Sequence, residues 1–174
     1  MDVSLGLTTI VGLIMGTRCG DIDPGIIPYI MRERNFSVDE LDTALTKKSG
    51  LLGLFGKSGD HRDIEEGYIQ GKPQEVMILN MYTNGILKYI ATYAAYLQGV
   101  DAIIFTAGVL ENSAVQRKLI AEKLGWMGAE FDPSKNDFRG EERVISTPDS
   151  KTVLMVVPTN EEYMIAKETY DLLA

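Results

Sequence analysis

The sequence holds a single cysteine, Cys19, and a single histidine, His61. No disulfide can form within it, and neither a thiolate zinc site nor a histidine cluster can be assembled. Basic residues are in deficit, with Lys and Arg at 17 against 25 Asp and Glu, for a formal net charge of −8. Sequence-independent binding of nucleic acid needs a basic stripe, and none is present. Arg32 and Arg34, with Glu33 between them, read as a solvated helix face. No apolar run approaches the roughly 20 residues that span a bilayer. Met1–Gly6 lacks the basic and long apolar stretches of a signal peptide. These absences point to a cytoplasmic protein with neither nucleic acid nor membrane among its partners.

What is present is ordinary for a globular chain: 174 residues, 45% hydrophobic and 24% charged, enough for one domain with a real core. Residues 3–15, rich in Val, Leu, Thr and Ile, read as one or two short strands. Pro24 fits the first turn of a helix running to about Glu33. Ser37 and Glu40 match a capping box, which predicts a second helix to Lys48. The four glycines of Gly50–Gly59 predict a loop. Pro73 opens the longest helix, whose Leu79, Tyr82, Ile86, Tyr89, Ile90, Tyr93 and Leu97 recur at helical spacing as one apolar stripe. Gly99 stops it. Residues 101–106 and 151–157 read as buried strands, separated by a helix over about Glu111–Leu124 and a polar stretch at 126–150. Thr159 begins a final helix to about Leu173. Alternating strands and helices imply an α/β domain with a partly parallel sheet. Two strands make a small sheet for so many helices, so part of the sheet is expected outside this chain.

Several positions could carry chemistry. Asp101–Ser113 reads as strand, then a small-residue turn with Gly108, then a helix start at Glu111–Asn112–Ser113, where free backbone N–H groups attract phosphate. The plain alternative is an ordinary strand–turn–helix connection. Gly56-Lys57-Ser58 resembles the end of a P-loop, but Leu51 stands where that motif needs its first glycine. Arg18, between Gly16 and Gly20, can reach a phosphate or carboxylate in two-pronged fashion, or simply pair with Asp21 or Asp23 at a turn. Asp60 starts a helix and can be its N-cap; His61 reads as a lone surface histidine. Thr159 and Glu162 form a second capping box, which leaves Glu161 free. A carboxylate at such a strand-to-helix turn can hold Mg²⁺, usually through waters, near phosphates.

Asp2-Val-Ser-Leu-Gly-Leu-Thr8, Met15–Pro24, Ser49–Gly53, Asp60–Asp63, Phe105–Ser113 and Pro158–Glu162 together, in this order, resemble the C-terminal part of an acetate kinase, with propionate and butyrate kinases as close relatives. The resemblance implies one partial domain over 1–174, of the actin/hexokinase/Hsp70-like (ribonuclease H-like) ATP-binding α/β class, with the N-terminal domain absent. It implies an enzyme part that transfers a phosphoryl group between ATP and acetate, giving ADP and acetyl phosphate with Mg²⁺; propionate is the alternative substrate. By position, Arg18 resembles the catalytic arginine and Glu161 the Mg²⁺-associated glutamate. Asp60, His61 and Arg62 resemble the loop lining the nucleotide, and Gly108 and Asn112 the adenosine-side turn. The resemblance further implies a homodimer, and a separate N-terminal chain as a partner that completes the enzyme. The chain alone should lack efficient catalysis; the competing reading is a non-catalytic dimerisation and nucleotide-binding remnant. Cys19, Val11 and Leu110 depart from the family pattern, where Ser, Glu and Gly are usual.

Overall fold

A computed structural model describes residues 3–173. Where the sequence reads as one domain, the backbone contacts divide it into two compact units, one ending at Gln98 and the other beginning at Gly99. No described helix is long and apolar enough to cross a membrane.

In the first unit most of the predicted helix signals operate, although Pro24 stands before the cap residue Gly25 and not in the first turn. Asp23 accepts the Gly25 N–H at 2.9 Å and leads into α1 (Ile26–Arg34), which ends on Asn35 in the left-handed region. Ser37 and Glu40 cap α2 (Val38–Lys47) reciprocally. Pro73 opens α5 (Pro73–Leu97), and Gln98 takes the left-handed cap position just before Gly99. Of the predicted stripe on α5, Leu79 and Ile86 are buried and Tyr82, Tyr89, Ile90 and Tyr93 half-buried; Ile78, Thr83 and Ala94, outside that stripe, are buried with them. Leu97, predicted to lie on that stripe, is exposed. Packed on α5 are α3 (Gly50–Phe55) and α4 (His61–Ile69), whose Leu51, Phe55 and Ile64 complete the core.

Two expectations fail here. Residues 3–15 form no strand among the described residues. Instead of joining a ladder, Gly12 closes a loop with Asp21: its N–H donates to Asp21 Oδ1 at 3.0 Å, and its carbonyl accepts the Asp21 N–H at 2.9 Å. Gly50–Gly59 is not a loop throughout, because α3 occupies its first half. The free N–H groups of that short helix find acceptors far away in sequence, Leu51 on Met15 O at 2.9 Å and Leu52 on Gly16 O at 2.8 Å.

The second unit is built on a three-stranded sheet in the order β1-β3-β2. Strand β1 (Ala102–Phe105) runs parallel to β3 (Val153–Val156), with Phe105 beside Val156. Strand β2 (Arg143–Val144) is antiparallel to β3. Phe105, Leu154 and Val156 enter a core shared with Ile120, Leu124 and Ile145. β1 is an edge strand, and its Ile104 is 56% exposed rather than buried. The helix expected over Glu111–Leu124 is two helices, α6 (Ala107–Asn112) and α7 (Ala114–Ala121). Ser113 breaks them: its backbone is extended and its Oγ accepts the Gln116 N–H at 2.9 Å, a serine preferring the cap to the helix interior. The last helix, α8 (Glu161–Leu173), is exposed along its described length.

Candidate functional site

Arg18 lies on a loop whose backbone the rest of the first unit holds firmly. Met15 N–H donates to Arg18 O at 3.2 Å, Ser49 N–H to Thr17 O at 3.0 Å, and Cys19 N–H to Leu45 O at 3.0 Å. Gly50, at φ +63°, passes directly beneath; a Cβ there would fall 2.6 Å from Arg18 O. The guanidinium itself is committed to no carboxylate among the described residues. Its Nη1 donates only a long bond to Met15 Sδ, at 3.5 Å. Of the two candidate turn partners, Asp23 is occupied by Gly25. Asp21 is taken by the Tyr89 hydroxyl at 2.7 Å and Lys88 Nζ at 3.3 Å. The tyrosine bond, foremost, lowers the pKa of that carboxyl. Turn pairing therefore does not account for Arg18. A cavity of about 660 Å³ beside this loop is lined by Gly12, Cys19, Asp21, Ser49 and Lys88 among others, but not by Arg18.

The backbones of Gly16 and Gly59 touch: a Cβ on Gly59 would come within 2.6 Å of Gly16 O. That contact brings the Arg18 loop to the start of α4. There Asp60 caps the helix, accepting Arg62 N–H at 2.9 Å, while the Arg62 Nε reaches back to the same carboxylate at 3.0 Å. This ion pair with Arg62 holds Asp60 down to about 2. Asp60 and Arg62 thus satisfy each other at the surface. His61 is not the surface histidine the sequence suggests. It is 8% exposed, with Nδ1 at 3.5 Å from Glu65 and its ring against Tyr82.

In the second unit the turn after β1 differs in detail from expectation. The helix begins at Ala107, so Gly108 sits inside its first turn rather than before it. Thr106 is extended and Ala107 holds φ +62°, a left-handed conformation that costs a non-glycine residue about 1–2 kcal/mol. Gly108 faces open space, with no atom within 4 Å of a built Cβ. Asn112 donates to Gly108 O at 2.8 Å, so these two candidates meet one helical turn apart.

Two residues of this region were invisible to sequence reading. Glu111 Oε1 accepts the Thr159 N–H at 2.7 Å and the Thr159 hydroxyl at 2.8 Å. Those bonds replace the capping box expected of Thr159 and Glu162; Asn160 Oδ1 accepts from Tyr163 N–H instead, at 3.3 Å. Arg117 is fully buried. Its fork donates to Leu110 O and Glu111 O at 2.9 Å each, and to Asn136 and Phe138, while its plane stacks on the Phe138 ring at 4.3 Å. Helical spacing assigns the buried side of this stretch to Val115, Leu119 and Ala121–Leu124; Ala121 and Leu124 are buried, Val115 and Leu119 only partly, and Gln116, Arg117 and Ile120 join the buried side.

Glu161 opens α8 with its carboxylate exposed. Among the described residues, no group of three or more His, Cys, Asp or Glu side chains could hold a metal. A single free carboxylate is nevertheless a donor set that suits Mg²⁺, which keeps several waters and takes its remaining ligands from phosphates.

The model of the acetokinase family matches residues 1–167. An acetate kinase of Symbiobacterium thermophilum is 50% identical over 173 residues, 99% of this chain and 44% of that protein. The crystal structure of Porphyromonas gingivalis acetate kinase superposes with a TM-score of 0.92 at 43% identity, over 100% of this chain and 44% of that one. A propionate kinase from Francisella tularensis gives 0.87 at 39%, over 95% and 42%. The chain thus spans less than half the length of the relatives it matches, and the α/β, actin/hexokinase-like fold class holds. By family match, identity and fold together, the chain belongs to the acetokinase family.

Proposed function

We propose that this chain is the nucleotide- and Mg²⁺-side portion of an acetate kinase-type phosphotransferase. The observation that carries the reading is Arg18: an arginine on a braced loop, with both neighbouring aspartates engaged elsewhere. Phosphoryl transfer proceeds mainly by positioning and by stabilising charge on the transferring group, and an arginine with no carboxylate partner among the described residues suits that task. Gly108 and Asn112 would take the adenosine side, where the open face above Gly108 admits a flat ligand. Asp60, His61 and Arg62 would act differently from one another. Asp60 and Arg62 shape the surface beside the Arg18 loop, whereas buried His61 supports α4 from within. Glu161 would hold Mg²⁺, which when bound neutralises phosphate charge. Acetate is the proposed carboxylate, with propionate the alternative.

Positioning supplies most of the acceleration in such reactions, so the 174 residues alone should bind nucleotide weakly and transfer little. Titration calorimetry with Mg-ADP tests the binding. No heat and no thermal shift at millimolar nucleotide would overturn the reading. A second role is favoured by a separate observation: Met77, Met81, Tyr96 and Leu97 of α5 are all exposed. Apolar surface of that kind favours self-association as a homodimer.

A further inference from the structure

We infer that Glu111 is a positioning residue of the nucleotide side: its carboxylate ties the turn carrying Gly108 and Asn112 to the segment that delivers Glu161. The inference rests on the roles proposed above for those three residues. Strands β1 and β3 are parallel neighbours, so the loops leaving their C-terminal ends lie side by side, the place where α/β sheets bind ligands. One loop runs through Thr106 into α6, and the other runs through Thr159 into α8. The ladder's last bond between them is that of the Val157 N–H to Phe105 O at 2.9 Å. Glu111 does so with one oxygen, which accepts the Thr159 N–H at 2.7 Å, the Thr159 hydroxyl at 2.8 Å and, more loosely, the Thr106 hydroxyl at 3.5 Å.

Glu111 is fixed from its own side as well. Its backbone carbonyl accepts from buried Arg117 at 2.9 Å and from the Gly140 N–H at 3.2 Å. The next residue in one direction is Asn112, bonded to Gly108 O. Two residues beyond Thr159 is Glu161. A single side chain therefore sets the spacing between the adenosine-side turn and the metal-side carboxylate. The hydrogen bonds, that of the Thr159 backbone foremost, favour the ionised form of Glu111 and lower its pKa. It remains a charged acceptor at neutral pH, which makes these bonds stronger than neutral ones.

A staple that merely supported the fold would weaken nucleotide binding equally with and without metal. A positioning residue acting through Glu161 would weaken binding chiefly when Mg²⁺ is present. The test compares ADP binding by calorimetry, in excess Mg²⁺ and in EDTA, for the parent chain, Glu111→Ala, Glu111→Gln and Thr159→Val. The expected result for Glu111→Ala is a Mg²⁺-dependent loss of about 10- to 100-fold, the scale for a partner that orients a metal ligand. Binding in EDTA should change much less, and the two milder variants should fall between parent and alanine. Equal losses in both conditions, or no loss, overturn the inference. A parent that binds no nucleotide at all overturns the functional reading, and this inference with it; a parent that binds normally beside unaffected variants overturns this inference alone. Should Glu111→Ala fail to fold, Glu111→Gln and Thr159→Val carry the same comparison, and the absence of any Mg²⁺-specific loss in them is equally fatal.

Discussion

The Tyr89 hydroxyl donates to Asp21 Oδ2 at 2.7 Å, and in doing so keeps from Arg18 the carboxylate that stands three positions along the chain. An arginine between two glycines and next to two aspartates has an easy internal partner. The fold removes it by drawing Asp21 toward α5, where Lys88 adds a second, weaker hold at 3.3 Å.

Replacement of Arg18 follows directly. When this chain is substituted for the matching segment of the Symbiobacterium thermophilum acetate kinase, Arg18→Ala should lower turnover about 10²-fold or more, the scale for losing one charge-stabilising donor. Acetyl phosphate formation by the chimera measures it. A variant as active as the parent chimera would mean that another residue does this work.

Gly50→Ala should destabilise the first unit by about 1–3 kcal/mol, since the residue sits at φ +63° with the Met15–Arg18 backbone against it. Urea denaturation reads the loss. Faster amide exchange at Ser49, Leu51 and Leu52, whose N–H groups bond the Arg18 loop, would localise it.

Arg117→Met should cost the second unit about 3 kcal/mol or more. Leu110 O, Phe138 O and Asn136 Oδ1 lose the bonds of the fork, whereas Glu111 O keeps the Gly140 N–H and Asn136 O the Phe138 N–H; buried acceptors stripped of a donor are expensive. Lysine should not rescue it, because one ammonium cannot reproduce the fork or stack on Phe138. Thermal denaturation of both variants checks this; a lysine variant as stable as the parent would contradict the geometry.

Asp60 gives a pH signature. Its carboxyl is held at about 2 by the Arg62 side chain, below the unfolded value of about 3.9. A folded-state pKa that is depressed contributes stability above the unfolded value, and the contribution is lost as pH falls toward 2. Carbon-13 NMR of the side chain should therefore show a midpoint near 2 in the parent and a return toward the ordinary range in Arg62→Ala. Asp60→Asn should cost little as a cap, while Asp60→Ala should cost about 1 kcal/mol.

Light scattering at rising protein concentration should show a dimer, given the exposed Met77, Met81, Tyr96 and Leu97. A monomeric mass throughout would remove self-association from the proposed roles.

Sequence alone determined the features whose causes are local. The Ser37–Glu40 box, the proline at position 73 and the apolar runs at 102–105 and 153–156 each carry their instruction within a few residues, and each produced the expected element. The motif blocks likewise disclosed the family, since an ordered set of short matches survives without knowledge of contacts. Tertiary structure decided whatever depends on partners distant along the chain. Helix α3 forms among four glycines because Met15 and Gly16 accept its first N–H groups. Residues 3–15 stay out of a ladder because Gly12 bonds Asp21. His61 is buried by α5, and Arg117 by carbonyls about 20 residues away. Glu111 and Thr159 are separated by 48 positions, and the parallel pairing of β1 with β3 brings them within reach of two hydrogen bonds. A hydrogen bond between remote residues leaves no periodicity and no motif in the chain, because what joins them is the packing of everything between.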